Sequence, residues 1–193
     1  MKSIGISGTP GTGKSSTAKI LSQYLGIPVI DLSKYVIENN LILFYDSERQ
    51  TNVIDEDRVR HELLKLYNSN GAMIIDSHYA EITPKEILEV VFVIRRDPEE
   101  LMNILLKRGW SLNKVIENVE AELLSICTLN AIDELGEDLV IEINATSRNS
   151  EEIALEIIEI LFGEKSAYYG HTIDWLSILP QEKLLKIIEL LKR

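Results

Sequence analysis

Apolar positions along the chain change their spacing in a regular order. Short continuous runs alternate with stretches in which apolar residues return every three or four positions. The run at residues 3–7 leads into Ala18, Leu21 and Leu25, one face of a helix that Gly26 and Pro28 stop. Val29 and Ile30 make a short second strand ending at Asp31. Residues 32–52 are weakly patterned around Ile37, Leu41 and Phe44 and read as one or two short helices in a mobile insertion. Asp55 is placed to cap a helix carrying Val59, Leu63, Leu66 and Tyr67, which Gly71 ends. Residues 72–75 form another apolar run, closed by Asp76, and residues 90–94 form the next, followed by Arg95, Arg96, Asp97 and Pro98. Asp97 as cap, Pro98 in the first turn, and Glu99 and Glu100 beside it predict a strong helix start. That helix carries Leu101 and Leu105 and ends near Gly109. A second puts Leu112, Val115, Val119, Leu123 and Ile126 on one face. Residues 139–143 are the last strand, and Ile153, Ile157, Ile160 and Leu161 stripe the helix up to Gly163. Apolar runs suit strands buried on both faces. Their alternation with helices predicts an α/β fold, a parallel sheet of about five strands with helices on both faces.

The chemistry begins where the first run meets the first helix. Residues 8–15 read GTPGTGKS and fit G-x-x-x-x-G-K-[ST]. Glycines there let backbone N–H groups close around a phosphate chain without an intervening Cβ, and the helix turns its positive end toward the same phosphates. Gly11, Gly13, Lys14 and Ser15 are therefore candidate nucleotide ligands. Lys14 reaches for the terminal phosphates, and the Ser15 hydroxyl is a Mg²⁺ ligand. Asp76, closing an apolar strand, is the expected partner of Ser15 at the metal. His78 lies two residues on, which in an extended chain is the same side. It is either a group that positions or deprotonates an attacking water, or a hydrogen-bonded loop histidine. Arg95, Arg96, Arg108 and Arg148 all fall at strand or helix ends, where a cation could stabilise a transferring phosphoryl group. Arg108 precedes a Gly-Trp turn that suits a lid.

Length and composition set bounds on this picture. The 193 residues make one domain-sized core, and 45% hydrophobic with 26% charged residues is an ordinary globular balance. With 31 acidic against 20 basic residues the net charge is −11, which excludes a general nucleic-acid binder and suits a basic partner. The single cysteine, Cys127, excludes an internal disulfide and sits in a helical pattern as a packing residue. No apolar stretch reaches a membrane span and the start is not signal-like, so a cytoplasmic protein is expected.

Taken together, GTPGTGKSS at 8–16, VIDEDRV at 53–59, IIDSH at 74–78, VFVIRRD at 91–97, KRGW at 107–110 and KVIENVEAE at 114–122 resemble the adenylate kinase isoenzyme 6 family, the coilin-interacting nuclear ATPases and their archaeal relatives. The resemblance covers residues 1–163. It implies a P-loop nucleoside monophosphate kinase fold, with a monophosphate-binding insertion near 31–54 and a small lid near 107–117. It also implies ATP and Mg²⁺ as cofactors, AMP or another nucleoside monophosphate as substrate, and both kinase and ATPase activity. A role in late maturation of the small ribosomal subunit, through a basic ribosomal protein, is implied as well. The alternative is a nucleotide-gated assembly factor with little kinase activity. Carried onto this chain, Gly11, Gly13, Lys14, Ser15 and Ser16 would hold ATP phosphates, Arg108 would contact the nucleotide from the lid, Arg148 would lie near the adenine, and Asp76 and His78 match the family's Asp-x-His, tied to metal binding and hydrolysis. One departure stands out. Adenylate kinases place an arginine in the first helix of the insertion, whereas residues 31–44 hold only Lys34 as a cation. Beyond residue 163, a hinge is expected at 166–170. After it comes a helical extension to 193 whose apolar face, Leu184, Leu185, Ile187, Ile188 and Leu191, packs on its own domain or docks elsewhere.

Overall fold

In the computed structural model, which describes residues 1–47 and 51–191, five parallel strands run in the order β2-β5-β1-β6-β7. They are β1 (Ser3–Ser7), β2 (Val29–Asp31), β5 (Ile74–Asp76), β6 (Leu88–Arg95) and β7 (Val140–Asn144). The continuous apolar runs are strands because both their faces are covered. Ile4, Ile6, Phe92, Ile94, Ile141 and Ile143 meet α1 (Lys14–Leu25) and α7 (Ser150–Leu161) on one side. Ile75, Val91, Val93 and Val140 meet α3 (Glu56–Asn70) and α6 (Ile126–Leu135) on the other. The register pairs Ile6 with Asp76, which brings the end of β5 beside the start of the glycine loop. Because β1 is central and its neighbours are reached by crossovers in opposite directions, this end of the sheet is a switch point where ligands bind.

Four expectations need correction. The insertion is α2 (Leu32–Glu38) followed by a two-stranded antiparallel hairpin, β3 (Ile42–Asp46) and β4 (Thr51–Ile54), rather than one or two helices; residues 48–50 of that span lie outside the described residues. Leu43, Phe44 and Tyr45 are all exposed, so this strand lacks the alternation that marks a half-buried one, although its residue types favour it. The long helix expected to carry Leu112 through Ile126 is two helices, α5 (Leu112–Leu123) and α6, broken at Ser125 with φ 59°. A buried side chain causes the break: Arg95 Nη2 donates to the Glu122 carbonyl at 2.9 Å and to Ser125 Oγ at 2.9 Å, taking an acceptor that a continuing helix would use. The stretch 166–170 is not a hinge. Gly170 N–H donates to the Val140 carbonyl at 2.8 Å, and Tyr169 bridges Ile141, so this segment is pinned to β7. His78 is not on an extended chain, because β5 stops at Asp76 and His78 lies in the turn beyond it.

The extension folds back on the domain. After α8 (Trp175–Ile178) and α9 (Gln181–Leu191), Trp175 and Ile187 are buried against Leu101 and Leu105 of α4 (Pro98–Lys107) and Val115 and Val119 of α5. Lys183 also pairs with Asp97 and Glu99 at the N-terminus of α4, at 2.6 and 3.1 Å. Among the described residues, no helix is long and apolar enough to cross a membrane.

Candidate active site

The glycine loop takes its shape from positions where no side chain fits. Gly8 and Gly11 have φ of 129° and 99°, and a Cβ would come within 2.3 Å of the Ile94 carbonyl oxygen at Gly8 and 2.7 Å of Leu101 at Gly11. Gly13, at φ 110°, starts α1 with no side-chain cap and no acidic residue in the first turn. The contrast is α4, whose first amides are taken by Asp97. At α1 the free amides and the positive end of the dipole are left for an anion. They open on a cavity of 250 Å³ lined by Gly11, Gly13, Lys14, Ser15, Ser16 and, from the C-cap of α4, Arg108.

Charge within this site is finely set. Lys14 Nζ donates to the Thr9 carbonyl at 3.1 Å. Burial lowers its pKa, an effect opposed by the nearby Cys127, Asp76 and Glu122 and reinforced by Arg108. Asp76 is buried, and burial raises its pKa, while a hydrogen bond from the Ser15 hydroxyl and the charge of Lys14 pull it back. Ser15 and Asp76 thus form a hard-oxygen pair beside a lysine. That donor set fits Mg²⁺ completed by phosphate and water oxygens.

Beside it lies a larger cavity of 630 Å³, roofed by α2 and the hairpin and floored by the turn after β5. Ser33, Val36, Ile37, His78, Tyr79 and Glu81 are among its lining residues. His78 stands at its mouth, exposed, with its ring edge-on to Tyr79 at 4.6 Å between centroids. The surrounding walls, and then Lys14, lower its pKa to about 4, so the imidazole is neutral near pH 7 and offers a hydrogen-bond acceptor. Glu81 is 6% exposed, has an oxygen without a partner, and is pushed up to about 7 by burial. Among the described residues lining this cavity there is no lysine or arginine. Lys34 faces a different surface groove and pairs with Glu38 at 3.6 Å.

The structure therefore brings together Gly11, Gly13, Lys14, Ser15, Ser16 and Arg108 at one cavity, with Asp76 hydrogen-bonded to Ser15 and with His78 at the mouth of the larger cavity. Arg148 is not brought in. Its guanidinium is folded onto the Asn144 and Glu152 carbonyls and the Glu156 carboxylate. Arg95 and Arg96 do not face the cavities either. Arg95 is 1% exposed and held by Glu122 and Glu142; Arg96 pairs with Glu100 and donates to the Thr12 and Arg148 carbonyls. Cys127 is half-buried, and burial pushes its thiol up to about 11, which suits packing and not nucleophilic chemistry. Sequence reasoning missed Glu81 and Glu122. Glu122 had a visible signal, since it continues the Val115 and Val119 face of α5 as a carboxylate on an apolar stripe.

Comparison with known proteins gives the family. The AAA domain family model matches residues 4–125. The adenylate kinase isoenzyme 6 homolog of Caenorhabditis elegans is 34% identical over 160 residues, covering 82% of this chain and 88% of that protein. The chain belongs to the adenylate kinase isoenzyme 6 family. Two archaeal relatives that carry the name "Putative adenylate kinase" extend the match within this family. The Saccharolobus islandicus protein is 39% identical over 153 residues, covering 79% of this chain and 80% of its own. The Methanosarcina acetivorans protein is 35% identical over 190 residues, covering 92% and 99%. Among solved structures, shikimate kinase from Bacteroides thetaiotaomicron superimposes with a TM-score of 0.56 at 15% identity, over 84% of this chain and 98% of that one. Deoxyadenosine kinase from M. mycoides gives 0.53 at 16%, over 83% and 99%. These likenesses show the P-loop kinase fold of the family.

Proposed function

We propose that the protein is a Mg-ATP-dependent nucleoside monophosphate kinase of the adenylate kinase type that also hydrolyses ATP and serves late maturation of the small ribosomal subunit. The observation that carries the enzymatic part is the meeting of an uncapped α1, Lys14 and the Ser15–Asp76 pair at one cavity, with a second cavity alongside. The names of the relatives support the kinase class. Gly11, Gly13 and Ser16 would hold ATP phosphates through backbone and hydroxyl donors, Lys14 would move from the Thr9 carbonyl onto the terminal phosphates, and Arg108 would close from the lid side. Ser15 and Asp76 would hold Mg²⁺, which when bound supplies charge neutralisation at the phosphates. The acceptor would enter the larger cavity. The ribosomal role rests on the family resemblance and on the −11 charge, which suits a basic partner.

A second reading, a nucleotide-gated assembly factor with little kinase activity, is favoured by the lack of lysine and arginine among the described residues lining the larger cavity and by neutral His78 at its mouth. A water-positioning group is a liability in a kinase that must keep water out. ATP turnover with Mg²⁺, with and without AMP, in wild type and His78→Ala separates the two. AMP-dependent ADP formation that survives the mutation is expected of the kinase. Hydrolysis that ignores AMP and collapses in His78→Ala would overturn the kinase priority.

A further inference from the structure

The segment after residue 170 is tied into the glycine loop by a chain of buried hydrogen bonds. Glu122, 1% exposed, uses its two oxygens for different elements. Oε2 accepts from Thr9 Oγ1 at 2.7 Å. Oε1 accepts from Arg95 Nε at 2.8 Å, Arg96 N–H at 3.1 Å and the Trp175 indole N–H at 2.9 Å. Thr9 is the residue whose carbonyl accepts from Thr12 Oγ1 at 2.9 Å and from Lys14 Nζ at 3.1 Å. Behind Glu122, Glu142 shares Arg95 and accepts from the Thr172 and Ile173 N–H groups, each at 2.6 Å. Two buried carboxylates thus face a single guanidinium that lies 6.0 Å from the Trp175 ring centre, and donors from residues 172–175 complete their coordination. A buried anion that loses a donor shifts or reorients, so Trp175 joins Arg95 and Arg96 in fixing where Glu122 sits.

The geometry points to the extension as part of the nucleotide site: Trp175 holds Glu122, and Glu122 holds Thr9 and with it the carbonyl on which Lys14 rests. Glu122 and Trp175 are positioning residues that act through Thr9. The inference rests on reading the glycine loop as the ATP site. It would give residues 171–175 a role beyond packing, since the Trp175 indole N–H ends on the Glu122 carboxylate.

The test compares Trp175→Phe, which removes the indole donor together with part of the buried ring, with Thr9→Val, which replaces the hydroxyl by a methyl, and Thr9→Ser, which keeps it. ATP dissociation constants and the indole N–H resonances of the two tryptophans, Trp110 and Trp175, are measured in the full chain. Trp175→Phe and Thr9→Val should each weaken ATP binding by about three- to tenfold, Thr9→Ser should bind close to wild type, and the double variant should be no worse than the weaker single one. The Trp175 indole resonance should move in Thr9→Val and stay in Thr9→Ser, with no nucleotide present. Wild-type affinity in both variants, additive losses, or an indole resonance that ignores Thr9 would overturn the inference. If the wild type binds no ATP, the kinase reading falls with it; if it binds and only the coupling is missing, this inference alone falls.

Discussion

The two cavities at the switch point are built on opposite principles. The smaller one is built on backbone, with glycines at positive φ and an uncapped helix start, and carries the cations Lys14 and Arg108, with the Asp76 carboxylate hydrogen-bonded to Ser15. The larger one is made of side chains from the insertion and the turn after β5. It carries Glu56, Glu81 and a neutral His78, with no lysine or arginine among its described lining residues. Among the described residues, the cations that could meet phosphate are therefore concentrated on one side. A protein of this design should bind ATP in the manner of its fold and treat the acceptor phosphate weakly.

The largest break in that asymmetry comes from Lys14→Met, which leaves the smaller cavity with Arg108 alone. ATP turnover should fall by roughly 10²- to 10³-fold with the melting temperature little changed, because a group aimed at developing charge is lost while the fold is not. Retained turnover would show that the transferring phosphate lies elsewhere. Asp76→Asn should cost about 10²-fold and weaken the response to Mg²⁺. Since burial raises the metal-free Asp76 carboxyl above its ordinary range, Mg²⁺ binding should weaken on acidification earlier than it would at an exposed carboxylate.

How much of this contrast was legible in the sequence follows from what each cavity is made of. The smaller one is contiguous: residues 8–16 carry the loop, and the conformation of Gly8, Gly11 and Gly13 is demanded by backbone contacts that only glycine permits. The sheet was legible too, since strands buried on both faces read as unbroken apolar runs. The larger cavity draws on residues 33 to 130, and its hairpin has both faces open at Phe44 and Tyr45, so no period marks it. Arginines at strand ends misled for a physical reason. Arg95 continues the inward row of Val91 and Val93, and it is buried because Glu122 and Glu142, each a lone carboxylate in an apolar pattern, wait for it. Those unpaired-looking charges were the readable signal, and they had to be read as a set.

Glu81 sharpens the comparison through stability. Its carboxyl is held at about 7, mainly by burial and further by Glu134 and Glu56, against its own backbone N–H and Arg60, whereas the unfolded chain titrates near 4.5. Between those values the folded protein holds the extra proton. The stability this group contributes is full below pH 4.5 and is lost as pH rises through 7. Glu81→Gln, neutral throughout, should therefore be more stable than wild type by about 3 kcal/mol at pH 8 and nearly equal to it at pH 4. Equal melting curves at both pH values would mean that Glu81 finds a partner on ionising.

The smallest expected effect is also the one that would remove the asymmetry. Ile37 lies on α2 one turn after Ser33, both line the larger cavity, and Ile37 is 56% exposed, so a longer side chain there meets open space. Ile37→Arg would add the cation that Lys34, turned away and paired with Glu38, does not supply. A guanidinium on a phosphate makes charge-assisted hydrogen bonds, so the AMP KM should fall by about tenfold while ATP affinity stays put. Ile37→Lys, a point charge without the fork, should gain less. If Ile37→Arg leaves the AMP KM unchanged in a wild-type background that already phosphorylates AMP efficiently, the acceptor phosphate is held by other residues. The larger cavity would then be shaped for the base and sugar instead, and the division of labour between the two cavities would be by ligand part and not by charge.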